Sequence, residues 1–518
     1  MNTTPPIRPF FRSTLLALAP ALCFTLVPVM LPPGLASPLG PVIGAVPGAA
    51  QSSAGFAPGS RYLTRERAAR IDSIFSDLNS VHSPGCALGV EEGGRLVLGR
   101  GYGMADLDQG VPIRANTVFR IGSTSKQFAA AAIVLLELDG ALSVDDEYRT
   151  HIAELPDFGE SLTLRHVLNH TSGLRDWLGL MSLRGEGSTL YERQDVLDLM
   201  ADQDELNFPV GSRYLYSNSG FLMLADVVER TTGKSMRQFT NERIFEPLEM
   251  TSTLFHDEPN QIIEGRAVGY TPHPEEGFRI SMSPLDVVGA GGLLTTVEDF
   301  ARWSRNLATG EVGGPQFVDR LLKRGVLANG DTIDYALGIS HGEFRGLRTL
   351  GHGGSWAGYR ADFLRFPDQG TSIAVFCNVT NGNPGGRARQ VAGVLLEDVM
   401  DPLPPEEDQP TADEEADAAE DEAEIQEEVP PLTPDELTAF AGDYRSPELG
   451  VLYRFRVEEG ELRLADPSSL AGTLAHIEDD SFRIRNYTLR FLRESDGTVA
   501  ELRIDAGRVL NLRFVRLQ

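Results

Sequence analysis

Lysine is nearly missing from this sequence: Lys126, Lys234 and Lys323 stand against 43 arginines. Bases of both kinds fall well short of acids, 46 against 74, and the formal net charge is −28. That balance excludes nucleic acid as a partner, because phosphate binding needs clustered Lys and Arg. Cysteine is scarce too, with three in 518 residues and no Cys-x-x-Cys pair. A structural zinc site or a dithiol redox site is therefore not expected. There is no Gly-x-Ser-x-Gly elbow and no His-Glu-x-x-His motif, which disfavours an α/β-hydrolase or a zinc peptidase. Only one apolar run is long enough to consider for a membrane, Ser13 to Met30, and Pro20 and Pro28 interrupt it.

That run follows Arg8 and Arg12 and precedes small residues, the pattern of an export signal cleaved after Ala36 or near Ala50. The expected location is periplasmic or extracellular, with no membrane span once the signal is removed. Cys23 lies within the signal. Cys86 and Cys377 both sit in apolar, strand-like runs and read as buried free thiols. A disulfide would require those two strands to be neighbours.

The chain divides by composition. After the signal (1–50) and a short polar lead, residues 61–400 read as one mixed α/β (α+β) domain. It opens with a helix over 62–78 and a hairpin, Cys86–Glu91 and Arg95–Tyr102, turning at Glu92-Gly93-Gly94. Helical stretches fill its middle, and strands return at 348–351, 360–366 and 371–378. Strands at both ends with helices between predict one antiparallel sheet, flanked by helices and closed by the two ends of the domain. Residues 401–433 are different. Positions 401–430 carry fourteen acids and no base, half of the net charge in about a seventeenth of the chain. Such a segment cannot offset its ordering entropy and reads as a disordered linker. Residues 434–518 alternate apolar and polar positions in short runs, with Ser495-Asp496-Gly497 as a hairpin turn. A small antiparallel β-barrel is expected there, left mobile by the acidic linker.

Three segments can carry chemistry. In Ile121-Gly122-Ser123-Thr124-Ser125-Lys126, a serine and a lysine three apart open a long apolar stretch, Ala129 to Leu138. They share a helix face, and the helix N-terminus favours negative charge on a reacting oxygen. Burial there would lower the lysine pKa, so that Lys126 could take the Ser123 proton. Arginine could not do this, which explains a lysine kept at this position. The plainer reading is an N-cap serine and a snorkelling lysine. In Tyr214-Leu215-Tyr216-Ser217-Asn218, Tyr216 could relay a proton and Asn218 could bond Lys126 or a substrate carbonyl. Alternatively, Asn218 or Ser219 caps the helix that follows and Tyr216 packs. In Gly351-His352-Gly353-Gly354-Ser355, a strand could offer a backbone N–H to an oxyanion with His352 in the cleft, or the glycines could simply form a turn.

In this order, the three segments resemble the serine β-lactamase and penicillin-binding-protein family, which includes D-alanyl-D-alanine carboxypeptidases, D-aminopeptidases and esterases. The resemblance covers 61–400 and extends to Leu168–Leu174, Phe245–Met250 and Gly289–Leu293. It implies a β-lactamase/transpeptidase-like fold with an appended lipocalin-like β domain. It implies Ser123 as acylated nucleophile, Lys126 and Tyr216 sharing general acid–base work, and His352 assisting at the far wall. Asn218, Gly353 and Gly354 would line the substrate site, and the N–H groups of Ser123 and Ser355 would form the oxyanion hole. No cofactor or metal is called for, and the partner is a peptide or small-molecule substrate.

The resemblance has one departure. Gly353 stands where carboxypeptidases and β-lactamases carry Thr or Ser, whose hydroxyl helps bind a substrate carboxylate. The sequence thus looks more like the D-aminopeptidase and esterase members. In D-aminopeptidase-like relatives an appended barrel limits access to the cleft and can recognise a free N-terminus. Arg175, Asp176 and Arg360 read as surface salt bridges or as substrate contacts. The expected function is an exported hydrolase cleaving amide bonds of D-amino-acid peptides. The alternatives are an esterase, a β-lactamase or D-alanyl-D-alanine carboxypeptidase, and a β-lactam-binding sensor with negligible turnover.

Overall fold

A computed structural model describes residues 60–185, 192–283, 285, 287–402, 432–467 and 470–517. Residues 1–50, where an export signal is expected, and nearly all of 401–433, where a disordered linker is expected, lie outside the described residues.

Gly93 and Gly94 both take positive φ, 56° and 83°, a backbone that side-chain-bearing residues rarely adopt. They turn β1 (Cys86–Glu92) into β2 (Arg95–Tyr102). Four more strands come from the far end of the domain: β3 (Ser340–Phe344), β4 (Leu347–Trp356), β5 (Tyr359–Phe366) and β6 (Thr371–Cys377). The sheet order is β3-β4-β5-β6-β1-β2, antiparallel throughout. The β1–β6 pairing closes the domain end to end, as the sequence predicts. Five helices matter for the site: α1 (Arg65–Ile74), α2 (Lys126–Leu138), α3 (Asn218–Thr232), α4 (Val297–Thr309) and α5 (Pro384–Leu395). Helices α1 and α5 bury one sheet face with Leu364, Phe366, Ile373 and Val375. The opposite face packs on the larger core that holds α2, α3 and α4. No described helix is long and apolar enough to cross a membrane.

Four local expectations change. The first helix is shorter than 62–78, because the Thr64 side chain caps it at the Arg67 N–H, 3.1 Å away. Strand β3 has no sequence signal: it is a half-polar edge strand containing Gly342. Strand β4 does not stop at Gly351. It runs through the glycines to Trp356, because a Cβ at Gly354 would fall 1.9 Å from the Ile121 carbonyl oxygen. The glycine there permits close packing and does not make a turn. Finally, Cys86 and Cys377 are a disulfide, not free thiols. They face each other directly in the β1–β6 register, the adjacency that sequence could not supply.

The C-terminal residues form nine strands: β7 (Gly442–Arg445), β8 (Leu452–Glu458), β9 (Glu461–Asp466), β10 (Gly472–Thr473), β11 (Ala475–Glu478), β12 (Ser481–Ile484), β13 (Tyr487–Arg493), β14 (Val499–Ala506) and β15 (Val509–Arg516). Their order is β10-β9-β8-β7-β15-β14-β13-β12-β11. The edge strands β10 and β11 are separated in sequence by Leu474 alone, so the sheet curls nearly to closure, a barrel in kind. Tyr444, Phe455, Phe482 and Phe491 fill it, with ring centroids 5.4–5.6 Å apart.

The barrel is docked against the first domain. Arg175 and Asp176 are buried, contrary to the surface role expected of them. Arg175 pairs with buried Glu448 of the barrel and donates to the Leu510 carbonyl at 3.2 Å and the Asn511 carbonyl at 3.3 Å. Arg503 of the barrel pairs with Glu205 at 2.7 Å. Removing one partner from a buried pair costs about 3–5 kcal/mol, so Arg175 alone opposes free movement of the barrel.

Candidate active site

Ser123 sits in a 3₁₀ turn, Gly122–Ser125, that runs directly into α2. Gly122 has φ +51°, and a Cβ there would fall 2.6 Å from the Ser355 nitrogen. The missing side chain lets the turn lie on β4. Thr124 fastens it by donating to the His352 carbonyl at 3.1 Å. The Ser355 peptide nitrogen thus lies beside the turn that carries Ser123.

Lys126 is completely buried. Its Nζ lies 2.8 Å from Asn218 Oδ1, 2.8 Å from the Ala290 carbonyl oxygen and 3.2 Å from Ser123 Oγ. A neutral amine has two N–H bonds and one lone pair. In that form the two carbonyl-type oxygens take the hydrogens and the lone pair is left for the Ser123 hydroxyl, whereas the ammonium donates to all three. Burial holds the Lys126 ammonium well below its ordinary value, Asp176 opposes that shift, and the Arg508 cation adds to it.

Asn218 is the first residue of α3, whose N-cap is Ser217. Asn218 is therefore free of capping. Its backbone N–H and its side-chain amide both donate to Asp176 Oδ2, at 2.7 and 2.8 Å. Asp176 itself caps the helix Trp177–Arg184 through Leu178 N–H. A continuous polar chain thus runs Asp176–Asn218–Lys126–Ser123. The donated amide hydrogens turn the Asn218 oxygen toward Lys126.

The Tyr216 ring lies 4.7 Å from Lys126 Nζ. Among the described residues its buried hydroxyl meets no partner at full hydrogen-bond geometry, although it feels the nearby Ser123 hydroxyl. Burial raises the phenol well above its ordinary value, while the Ser123 hydroxyl and the Arg508 cation pull it down. It therefore keeps its proton at neutral pH. His170, at positive φ 57°, packs its ring 4.2 Å from that of Tyr216 and accepts the Ser217 N–H at 3.2 Å. Burial is the main cause that holds it well below its ordinary value. His352 lines the same cavity, but both of its ring nitrogens are engaged. Nε2 faces the Tyr335 hydroxyl at 3.0 Å, and Nδ1 faces the Gly353 carbonyl at 2.6 Å. Burial, aided by Lys126, pulls His352 down to about 4, so it is neutral across physiological pH.

These groups surround one cavity of about 570 Å³, which Ser123, Tyr216, Asn218, His352 and Ser355 all line. Gly353 and Gly354 form part of the β4 wall, and Trp177, Leu222 and Val288 give apolar surface opposite. Every residue singled out in the three sequence segments lies at this one place. Arg360 also lines it, with one guanidinium nitrogen donating to the Ala357 and Tyr359 carbonyls at 2.9 and 2.8 Å. Sequence reasoning missed the Ala290 carbonyl, Tyr335 and Arg508, and it misread Asp176. Ala290 sat in a segment already noted for its resemblance. Tyr335 and Arg508 carried no local signal.

A sequence model of the family described as Beta-lactamase matches residues 71–396. A D-aminopeptidase of Cereibacter sphaeroides is 31% identical over 304 residues, which cover 58% of this chain and 58% of that relative's own length. Two solved structures share the fold. An octameric penicillin-binding protein homologue from Pyrococcus abyssi superposes with a TM-score of 0.58 at 20% identity, over 87% of this chain and 99% of that one. The D-amino acid amidase of Ochrobactrum anthropi SV3 gives 0.55 at 20% identity, over 64% of this chain and 99% of that one. Because the Beta-lactamase family model runs through both ends of the six-stranded sheet and all three motif segments, the chain belongs to the β-lactamase family.

Proposed function

We propose that this protein is an exported serine hydrolase that works through an acyl-enzyme on Ser123 and cleaves amide bonds of peptides containing D-amino acids. The observation that carries the proposal is the setting of Lys126: a fully buried amine within hydrogen-bond reach of two carbonyl-type oxygens and of Ser123 Oγ. Ser123 loses its proton to Lys126 and attacks the scissile carbonyl, with the N–H groups of Ser123 and Ser355 receiving the oxyanion. Tyr216 hands its proton to the departing amine and regains one from Lys126. Water then breaks the acyl bond and returns the proton to Ser123. His352, neutral and engaged at both nitrogens, shapes the wall and orients Tyr335. The choice of D-amino-acid amides rests on likeness to D-aminopeptidases and on Gly353, which removes the hydroxyl expected of a carboxypeptidase or β-lactamase. The N-terminal signal pattern supports export, and a Cys86–Cys377 disulfide suits an oxidising compartment.

The test is turnover of D-alanine p-nitroanilide, free and N-succinylated, and of a short p-nitrophenyl ester by the parent protein and by Ser123→Ala. Many turnovers per protein, lost in the variant, are expected, with the anilide preferred. A single release of product per chain would instead favour a β-lactam-type sensor, and preference for the ester an esterase.

A further inference from the structure

Three arginines and a single acid line the cavity among the described residues: Arg120, Arg360, Arg508 and Asp362. The cleft thus carries an excess of cationic side chains in an acidic chain, and an excess of one sign focuses the field on ligands of the other. Arg120 donates to the Leu285 carbonyl, and Arg360 to two carbonyls of its own turn. Arg508 differs. Among the described residues, no carboxylate or carbonyl takes its guanidinium.

Arg508 comes from the barrel. It sits with Gly507, φ +59°, in the tight turn between β14 and β15, and that hairpin tip enters the cavity. The backbone there is held firmly. The Arg508 carbonyl accepts the Asp176 N–H at 3.2 Å and the Asn207 side-chain amide at 3.0 Å, and Leu510 N–H donates to Asn207 Oδ1 at 2.7 Å. The guanidinium carbon lies 4.6 Å from the Tyr216 ring centroid. An arginine beside an aromatic ring keeps N–H groups for a ligand, and its fork matches a carboxylate in two parallel hydrogen bonds. On the opposite wall, Gly353 has no side chain to offer.

We infer that the substrate carries a carboxylate close to its scissile bond and that Arg508 of the barrel binds it. The inference rests on the acyl-enzyme reading above and narrows its substrate class. It also reverses the expectation that the barrel reads a free amine, since an ammonium beside Arg508 meets a like charge. The barrel thereby becomes part of the site and not only a cover over it.

The test uses the full chain carrying Ser123→Ala, so that binding is read without turnover. Calorimetry compares N-succinyl-D-alanine amide with its neutral N-acetyl counterpart, and D-alanyl-D-alanine with its C-terminal amide. At least tenfold tighter binding of the anionic member of one pair is expected. Arg508→Gln should bring that ratio near one, Arg508→Lys should keep part of it, and Arg508→Glu should reverse it. Unchanged melting temperatures in these variants separate ligand contact from a structural role. Equal binding within both pairs, or an anion preference that survives Arg508→Gln, overturns the inference. Failure of the hydrolase reading shows separately, as absence of Ser123-dependent turnover of all four compounds and of the p-nitroanilide in the parent chain.

Discussion

At Lys126 the chain keeps an amine where arginine fills nearly every other basic position, and the burial of that amine gives the reason. A guanidinium stays charged at any working pH and cannot take the Ser123 proton. Lys126→Arg should therefore lower kcat by about 10²–10⁴-fold, the usual contribution of a general base, while the fold persists by circular dichroism. Asp176 allows a sharper test because its effect on Lys126 has a sign. The Asp176 anion raises the Lys126 pKa. In Asp176→Asn that support is gone, Lys126 loses its proton more easily, and the acid limb of kcat/KM against pH moves to lower pH. The rate at the plateau should fall roughly ten- to a hundredfold, because Asn218 loses a charge-assisted acceptor worth about 1.5–3 kcal/mol. An acid limb that stays put or moves up would remove Asp176 from the proton chain.

At the scale of elements, the site depends on close approaches that glycine permits. Gly122 and Gly354 let the Ser123 turn lie on β4, and Gly179 lets the barrel lie on the helix Trp177–Arg184. A Cβ at Gly179 would sit 2.7 Å from a methyl of Val509, the residue after Arg508. Gly179→Val should push the β14–β15 hairpin away at a cost of about 1–3 kcal/mol. Faster amide hydrogen exchange over residues 503–511, with slow exchange retained in β5 and β6, is the expected readout. Unchanged exchange at the hairpin would mean that the polar contacts of Arg175, Glu205 and Asn207 hold the barrel without the Gly179 approach. Sequence period and turn residues located the hairpins and the long helices, because each is dictated by its own neighbours. They gave no sign of β3, which is an edge strand only because β4 is beside it.

For the whole molecule, the joining of chain ends is the dominant fact. Residues 291 positions apart meet where β1 pairs with β6, and the Cys86–Cys377 bond ties them. Closing so long a loop is worth up to about 5 kcal/mol in the chain-entropy picture. Replacing both cysteines by alanine should lower the denaturant midpoint clearly and leave Ser123-dependent turnover at room temperature, since neither thiol reaches the cavity. An unchanged midpoint would show that the β1–β6 pairing holds without the bond.

The sequence alone determined the three segments that meet at the cavity, the sheet built from both ends of the domain and the small β-barrel. Each of these is written in local spacing: a serine three residues before a lysine, apolar alternation, and glycines at turns. The tertiary structure decided the rest. It made Cys86 and Cys377 a bond, buried Asp176 behind Asn218, engaged both nitrogens of His352, and brought Arg508 from the far domain to the Tyr216 ring. The physical reason is the same for all four. Partnership and burial depend on which surfaces meet, and residues 176 and 508 are neighbours only because the barrel packs on the first domain in one continuous core.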